Sequence, residues 1–163
     1  MLRNAFTTIA FVAFACAPLS AAISDSTFAT KAAIGGNAEV ALGRLAQIQG
    51  SSTKALGMKM VQDHSKAGAK LAAIVRNEGK TPSTSIGTQG QAEMAKLKSL
   101  HGAAFDSAYI KGQIADHQAT IALLQSEIDN GTDPKLKAWA ADTLPTVKKH
   151  LAMFQDASGS TKS

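Results

Sequence analysis

The sequence has 163 residues, of which 45% are hydrophobic, and its 17 Lys and Arg against 12 Asp and Glu give a net charge of +5 with the histidines neutral. This length suits a single domain with a sizeable core. The lysines are scattered along the chain among few aromatic residues, which argues against nucleic-acid binding and allows only weak association with an anionic envelope surface.

The start of the chain has the three parts of a secretory signal peptide. Arg3 precedes an apolar run at residues 5–19, and Ser20-Ala21-Ala22 supplies small residues for a signal peptidase. The run is shorter than the about 20 residues that a membrane-spanning helix needs. We therefore expect residues 1–22 to be removed and the mature protein to be periplasmic or secreted.

The alternative is a lipoprotein anchored through Cys16, the only cysteine of the chain. Ala13-Phe14-Ala15 precedes this residue and fits a lipoprotein signal poorly. Cleavage after Ala22 would leave a mature chain without thiol or disulfide chemistry.

Four long helices and one short helix are predicted after the signal peptide, because the chain is rich in Ala, Lys, Gln and Leu and poor in β-branched runs. The long helices are expected near residues 27–49, 53–78, 103–129 and 134–157, and the short helix near 91–100. Residues 79–90 form the one long polar loop, and 158–163 are expected to be a disordered tail. The sequence thus predicts an all-α, up-down-up-down four-helix bundle over residues 23–157, with a short extra helix before the third main helix.

Three of the four histidines stand in apolar stripes, each on a different helix. His64 follows Met60 by four residues, His117 lies in the apolar stripe of the third main helix, and His150 precedes Phe154 by four residues. These are the i, i+3, i+4 spacings of a buried helix face. The three imidazoles are therefore predicted to point into the bundle.

Glu39 and the three histidines are predicted to lie at one level of the bundle. Counting residues from the turns, at about 1.5 Å per residue, puts the four side chains within ~8 Å along the axis. Three imidazoles and one carboxylate suit a single zinc or copper ion. Met60 and Met153, each one turn from a histidine, are secondary ligand candidates that would favour copper, although methionines at helical spacing are commonly core residues.

A metal-free module that binds a partner in the envelope is the alternative interpretation, with the histidines as hydrogen-bonded core residues or as a pH sensor. Asp63 and Asp116 each directly precede a histidine, and they either orient an imidazole of a neighbouring helix or are surface carboxylates. His101, beside Gly102 at a helix break, is expected to be exposed. The sequence contains no nucleophile–base pair, phosphate-binding loop or pair of acids that would indicate an enzyme.

A series of short motifs extends through the mature chain: Glu39 in its first helix, MVQDH at 60–64, AAFDSAY at 103–109, DHQ at 116–118, and Leu144-Pro145 shortly before His150. In this order the motifs resemble a family of exported bacterial proteins of unknown function, with a ferritin-like four-helix domain, that are often described as outer-membrane proteins. The resemblance implies a ferritin-like fold and leaves the activity open.

The comparison with ferritin-like di-iron proteins implies that a di-iron centre is not expected here. Those sites use a Glu from each of two helices and a Glu-x-x-His pair from each of the other two. Val61 and Val147 stand three residues before His64 and His150, and His117 takes a position that would carry a Glu. Glu39 alone remains of the carboxylate set, since Asp106 lies about three turns from His117.

Overall fold

A computed structural model describes residues 23–160, and this part of the chain is helical with no strand. Its five helices are α1 (Asp25–Gln49), α2 (Lys54–Asn77), α3 (Gly87–Lys98), α4 (Gly102–Asn130) and α5 (Pro134–Ser160). The predicted signal peptide at residues 1–22, including Cys16, lies outside the described residues, as does the end of the tail at 161–163. Within residues 23–160, no helix combines the length and the apolar character that crossing a membrane requires.

The predicted helices are confirmed to within a few residues at most boundaries. Ser24 begins α1 as its N-cap by accepting a hydrogen bond from the Thr27 amide, and Asp133 accepts hydrogen bonds from the amides of Lys135 and Leu136 at the start of α5. Two boundaries differ from the prediction. Helix α3 begins at Gly87, so the polar loop ends earlier, and α5 continues to Ser160, through the first half of the predicted tail.

Two junctions at opposite ends of the bundle define the directions of the main helices. At one end the Asp106 carboxylate, near the start of α4, accepts hydrogen bonds from the α1–α2 turn, including the Ser52 amide at 2.7 Å. At the other end Asp25, the first residue of α1, accepts a hydrogen bond from the Thr132 amide between α4 and α5 at 2.9 Å. The end of α1 therefore meets the start of α4, and the four main helices run up, down, down and up.

This order of directions replaces the predicted up-down-up-down alternation, and helix α3 is the reason. Its 12 residues span about 18 Å, and together with the preceding loop they return the chain along the bundle before α4 begins. Asn37 of α1 holds the loop by donating hydrogen bonds to the carbonyl oxygens of Ser83 and Ser85. Gln49 donates to the carbonyl of Lys98, which fixes the end of α3. One long crossover of this kind is also the connectivity of ferritin-like bundles.

The core consists of two apolar clusters, one in each half of the bundle. The lower cluster lies at the Asp25 end and contains Phe28, Leu71, Val75, Leu124, Leu136, Trp139, Ala140 and Val147, with Ala29. The upper cluster lies at the Asp106 end and contains Leu42, Ala46, Met60, Leu97, Phe105, Tyr109, Ile110 and Phe154. On each main helix the buried polar residues at the centre fall between these two sets, so a polar layer separates the clusters.

Close packing of α1 on α2 depends on two glycines above the polar layer. A Cβ atom on Gly57 would lie 2.5 Å from the carbonyl oxygen of Gly43, and one on Gly43 would lie 2.7 Å from the carbonyl oxygen of Gly57. Any larger residue would push the two helices apart. The glycine pair thus holds α1 close to the helix that carries His64.

Candidate metal centre

His64 of α2, His117 of α4 and His150 of α5 meet in the polar layer. Their ring centroids are 5.3 to 5.6 Å apart. One ring nitrogen of each lies within 4.8 Å of those of the other two. All three side chains are buried, with His117 and His150 each 1% exposed. The structure therefore confirms the prediction that the three histidines converge.

The spacing of these nitrogens is close to that of a metal site. Three points no more than 4.8 Å apart all lie within about 2.8 Å of a common centre. Imidazole nitrogens bind zinc at about 2.0–2.1 Å, so each would have to move inward by less than about 0.8 Å. Small changes in side-chain torsion angles provide a shift of this size. In residues 23–160 these histidines are the single group of three or more His, Cys, Asp or Glu placed to share an ion.

Each of the three imidazoles has one buried nitrogen without a hydrogen-bond partner in the protein. These atoms are Nε2 of His64, Nε2 of His117 and Nδ1 of His150. The second nitrogen of His117, Nδ1, lies 2.8 Å from the carbonyl oxygen of Gln113. The second nitrogen of His150, Nε2, lies 2.8 Å from Oδ2 of Asp63. Because both oxygens act as acceptors, these second nitrogens carry the proton, and the unpartnered nitrogens of His117 and His150 present lone pairs.

Burial keeps the three imidazoles neutral. Together with the charges that His117 and His150 would carry, it lowers the pKa of His64 to about 3. Burial also lowers the pKa of His117 to about 4, although the hydrogen bond to Gln113 opposes it. The pKa of His150 is lowered by burial too, against the raising effect of Asp63. All three residues are therefore in the form that binds metal at neutral pH.

Asp63 orients His150, which is one of the two roles that the sequence allowed for it. Partial burial raises the pKa of Asp63, but hydrogen bonds from Lys59 and His150 outweigh that effect and hold the pKa below its usual value. The Lys59 ammonium lies 2.7 Å from the same carboxylate. Asp116 takes a different position and accepts a hydrogen bond from Gln89 of α3 at 3.0 Å.

Glu39 lies beside the three histidines and outside their group of nitrogens. Its Oε1 is 3.9 Å from Nδ1 of His117, the nitrogen that donates to Gln113, and its Oε2 has no hydrogen-bond partner. Burial raises the pKa of Glu39 to about 8 against the lowering effect of Gln113, and the charges of Asp116 and Glu93 act in the same direction as burial. Glu39 and His117 are therefore both uncharged at neutral pH, and their contact is not an ion pair.

The remaining sequence candidates lie in different surroundings. Met60 is fully buried in the upper cluster, and Met153 is half-buried on α5. His101 is exposed at the start of α4, as expected. Sequence analysis did not identify the backbone carbonyl of Gln113 as the acceptor for His117. The four-residue spacing between them was the available signal, since it is the spacing of adjacent turns on one helix face.

Comparisons with known proteins agree with this fold. No curated protein matches the sequence. A crystal structure of a protein described as "putative secreted protein DUF305" from Streptomyces coelicolor superposes with a TM-score of 0.73 at 15% sequence identity, covering 85% of this chain and 94% of that chain. At this identity the likeness shows the helical fold alone. A family model described as a domain of unknown function, DUF4142, matches residues 12–157. The protein therefore belongs to the DUF4142 family, as its resemblance to a bacterial family of unknown function predicted.

Proposed function

We propose that the protein binds one transition-metal ion, zinc or copper, through His64, His117 and His150. One observation carries the proposal: a ring nitrogen of each of the three buried histidines lies within 4.8 Å of those of the other two, and each of these histidines has one buried nitrogen without a protein partner. A buried polar group without a partner destabilises a fold by about 1–3 kcal/mol. A shared cation would accept all three lone pairs and offset that loss.

The ligand chemistry favours zinc or copper over hard cations such as magnesium, because imidazole is a borderline donor. Glu39 is predicted as a fourth ligand, which requires its carboxylate to turn from Nδ1 of His117 towards the unpartnered nitrogens. Participation of Met60 or Met153 would favour copper. The proposal rests on the three histidines. Whether Glu39, Met60 or Met153 also binds the ion can be tested separately.

We place this function outside the cytoplasm. The signal-peptide pattern at residues 1–22 and the export of the family that the chain resembles support a periplasmic or secreted location, and the structural neighbour is described as secreted. The role we propose is metal binding or sequestration, or protection of the envelope against stress. Neither comparison points to the outer membrane, and association with an anionic surface rests on the net charge alone.

The metal-free module with core histidines fits the contacts less well. Histidines that serve as core hydrogen-bonders would have both nitrogens paired, whereas each of these has one nitrogen without a partner. A pH sensor of envelope acidity would titrate between about pH 5 and 8. Burial instead lowers the pKa of His64 to about 3 and that of His117 to about 4.

Calorimetric titration of the exported protein with zinc and with copper(II) tests the proposal. We expect one ion per chain, and replacement of His64, His117 or His150 singly by Ala should weaken binding by about 100-fold or more. His101→Ala is the matched control and should leave binding unchanged. Glu39→Gln separates a fourth ligand, which would show a large loss, from a neighbouring carboxylate. Equal losses at His101 and at the buried histidines, or no binding at all, would refute the site.

The same protein should show no ferroxidase activity, because a di-iron centre needs several carboxylates whose charge balances two ions. Apoprotein loaded anaerobically with ferrous iron and then exposed to oxygen should oxidise the iron no faster than a protein-free control. Rapid turnover with about two irons per chain would contradict the single-ion assignment.

A further inference from the structure

A small cavity of about 50 Å³ lies inside the bundle, between the histidine layer and the lower cluster. Its walls come from all four main helices, and it reaches the proposed metal site at His64 and Glu39. Gly36 and Gly68 form parts of its walls, and a Cβ atom on either would meet no atom within 4 Å. Both positions therefore have open space where a side chain would stand, and a larger residue can be introduced there without a clash at its Cβ atom.

Two polar atoms without partners belong to residues that line this cavity, Nε2 of His64 and Oε2 of Glu39. Both residues are more than nine-tenths buried, with His64 9% and Glu39 5% exposed. Much of the remaining wall is apolar and includes Leu71, Leu124 and Trp139. A volume of about 50 Å³ suits a species of two or three heavy atoms, because a cavity needs at least about 10–15 Å³ to hold one water and about 150 Å³ to hold benzene.

We propose that this cavity binds a small inorganic anion of two or three heavy atoms, which occupies an exchangeable coordination position on the metal. The inference rests on the metal binding proposed above. Three protein ligands leave one position of a tetrahedral ion for an outside ligand, and such an open position distinguishes reactive metal sites from closed structural ones. Of the two roles that the Glu39→Gln titration separates, this inference takes the second, in which Glu39 is a neighbour of the fourth position and does not fill it.

The charge of the bound metal ion favours an anion. Lys31, an exposed residue of α1, and Glu39, a buried one, both contribute to the cavity wall. The positive charge next to the cavity is that of the metal ion at the histidine end, and its attraction for an anion is strengthened because the walls are largely apolar.

A surface groove adjoins the wall of the cavity. A groove between α1, α2 and the loop before α3 is lined by residues that include His64, Gly68 and Leu71, all of which also line the cavity. Gly68 thus stands between the groove and the cavity, where a small ligand would pass. A larger side chain at this position would obstruct both the passage and the cavity.

The test uses protein loaded with one equivalent of copper(II) and titrated with sodium azide, followed by the azide-to-copper charge-transfer absorption. We expect a saturable band that corresponds to one azide per copper. Gly36→Leu and Gly68→Leu should leave copper affinity within about threefold and weaken azide binding at least about tenfold. Both changes replace glycine in a helix by a better helix former, so the fold is retained. Gly159→Leu, at a glycine whose Cβ also meets no atom within 4 Å, is the matched control.

Each outcome decides the question. An absorption spectrum that does not change with azide, while copper stays bound, would show that the metal has no exchangeable position and would overturn this inference alone. Equal azide affinity in the wild type and both leucine variants would show that the ligand reaches copper by another side, and would also overturn it. Failure of the wild type to bind copper would overturn this inference, and failure to bind zinc as well would refute the proposed function.

Discussion

The central layer of the bundle and the two apolar clusters beside it are equally buried but differ in how their atoms are paired. In the upper cluster Phe105 stacks on Tyr109 with ring centroids 5.6 Å apart, and in the lower cluster Phe28 meets Trp139 edge to face at 5.9 Å. In the central layer the three histidines, Glu39 and Gln113 all have buried polar atoms without hydrogen-bond partners, whereas the two clusters contain one such side-chain atom, the hydroxyl of Tyr109. The clusters therefore stabilise the fold, while the central layer weakens it.

This difference indicates where function is located in the molecule. Replacement of a buried polar set by apolar residues commonly maintains or increases stability, so a fold optimised for stability alone would continue its leucines through the centre. The polar layer also has its outer hydrogen bonds in place, from His117 to Gln113 and from His150 to Asp63. A cluster of buried side chains that have unpaired polar atoms, and whose other nitrogens are hydrogen-bonded to the surrounding protein, is typical of a ligand site.

The largest expected effect on stability comes from breaking an apolar cluster. Phe105→Ala removes a fully buried ring and should lower the free energy of unfolding by about 3–5 kcal/mol. Phe28→Ala should have a similar effect in the lower cluster. Urea denaturation of the metal-free protein measures both. A loss below about 1 kcal/mol at either site would contradict the assignment of these clusters as the stabilising core.

Replacement of the polar residues of the central layer is expected to raise the free energy of unfolding, where loss of a cluster residue lowers it. Simultaneous replacement of His64, His117 and His150 by Leu should raise the free energy of unfolding of the metal-free protein by about 1–4 kcal/mol, because unpaired buried nitrogens are removed. Zinc should raise the melting temperature of the wild type and leave that of the triple variant unchanged. His101→Leu, at an exposed position, is the control. A triple variant as unstable as Phe105→Ala would identify the histidines as structural hydrogen-bonders.

A smaller effect on stability is expected at the junction between the α1–α2 turn and Asp106 of α4, one of the two junctions that define the helix directions. Burial raises the pKa of Asp106, but hydrogen bonds from Ser52, Thr53 and Ser51 outweigh it and lower the pKa below 3.8. A lowered pKa means that the folded state favours the charged form. The contribution of the charged Asp106 carboxylate to the free energy of unfolding is complete above pH 3.8, and it disappears as the pH falls through the pKa of Asp106 in the folded state.

Asp106→Asn should therefore destabilise the protein by about 2 kcal/mol at pH 7, and the difference from the wild type should vanish in strong acid. Chemical denaturation at a series of pH values measures this difference. Asp142→Asn, at an exposed position on α5, should have little effect throughout. A pH-independent difference at Asp106 would mean that packing rather than charge holds the junction.

The level of the histidines was predicted correctly even though the helix directions were not. Each histidine lies near the middle of its helix, so its depth is similar whether residues are counted from one end or the other. Helix directions depend instead on whether the segment between α2 and α4 turns back at once or crosses the bundle. The sequence showed a short helix there, but its packing on α1, through contacts such as that of Gln49 with Lys98, is a long-range feature.

The sequence by itself determined the all-α fold, most of the helix boundaries and the inward position of the three histidines. These features follow from local rules, namely capping residues, loop composition and the 3.6-residue period that places every third or fourth residue on one face. Only the tertiary structure decided that Asp63 pairs with His150, that Glu39 lies against the protonated nitrogen of His117, and that a cavity adjoins the site. These features depend on the rotation of each helix about its axis and on side-chain torsion angles. Both are set by packing among helices that are distant in the sequence.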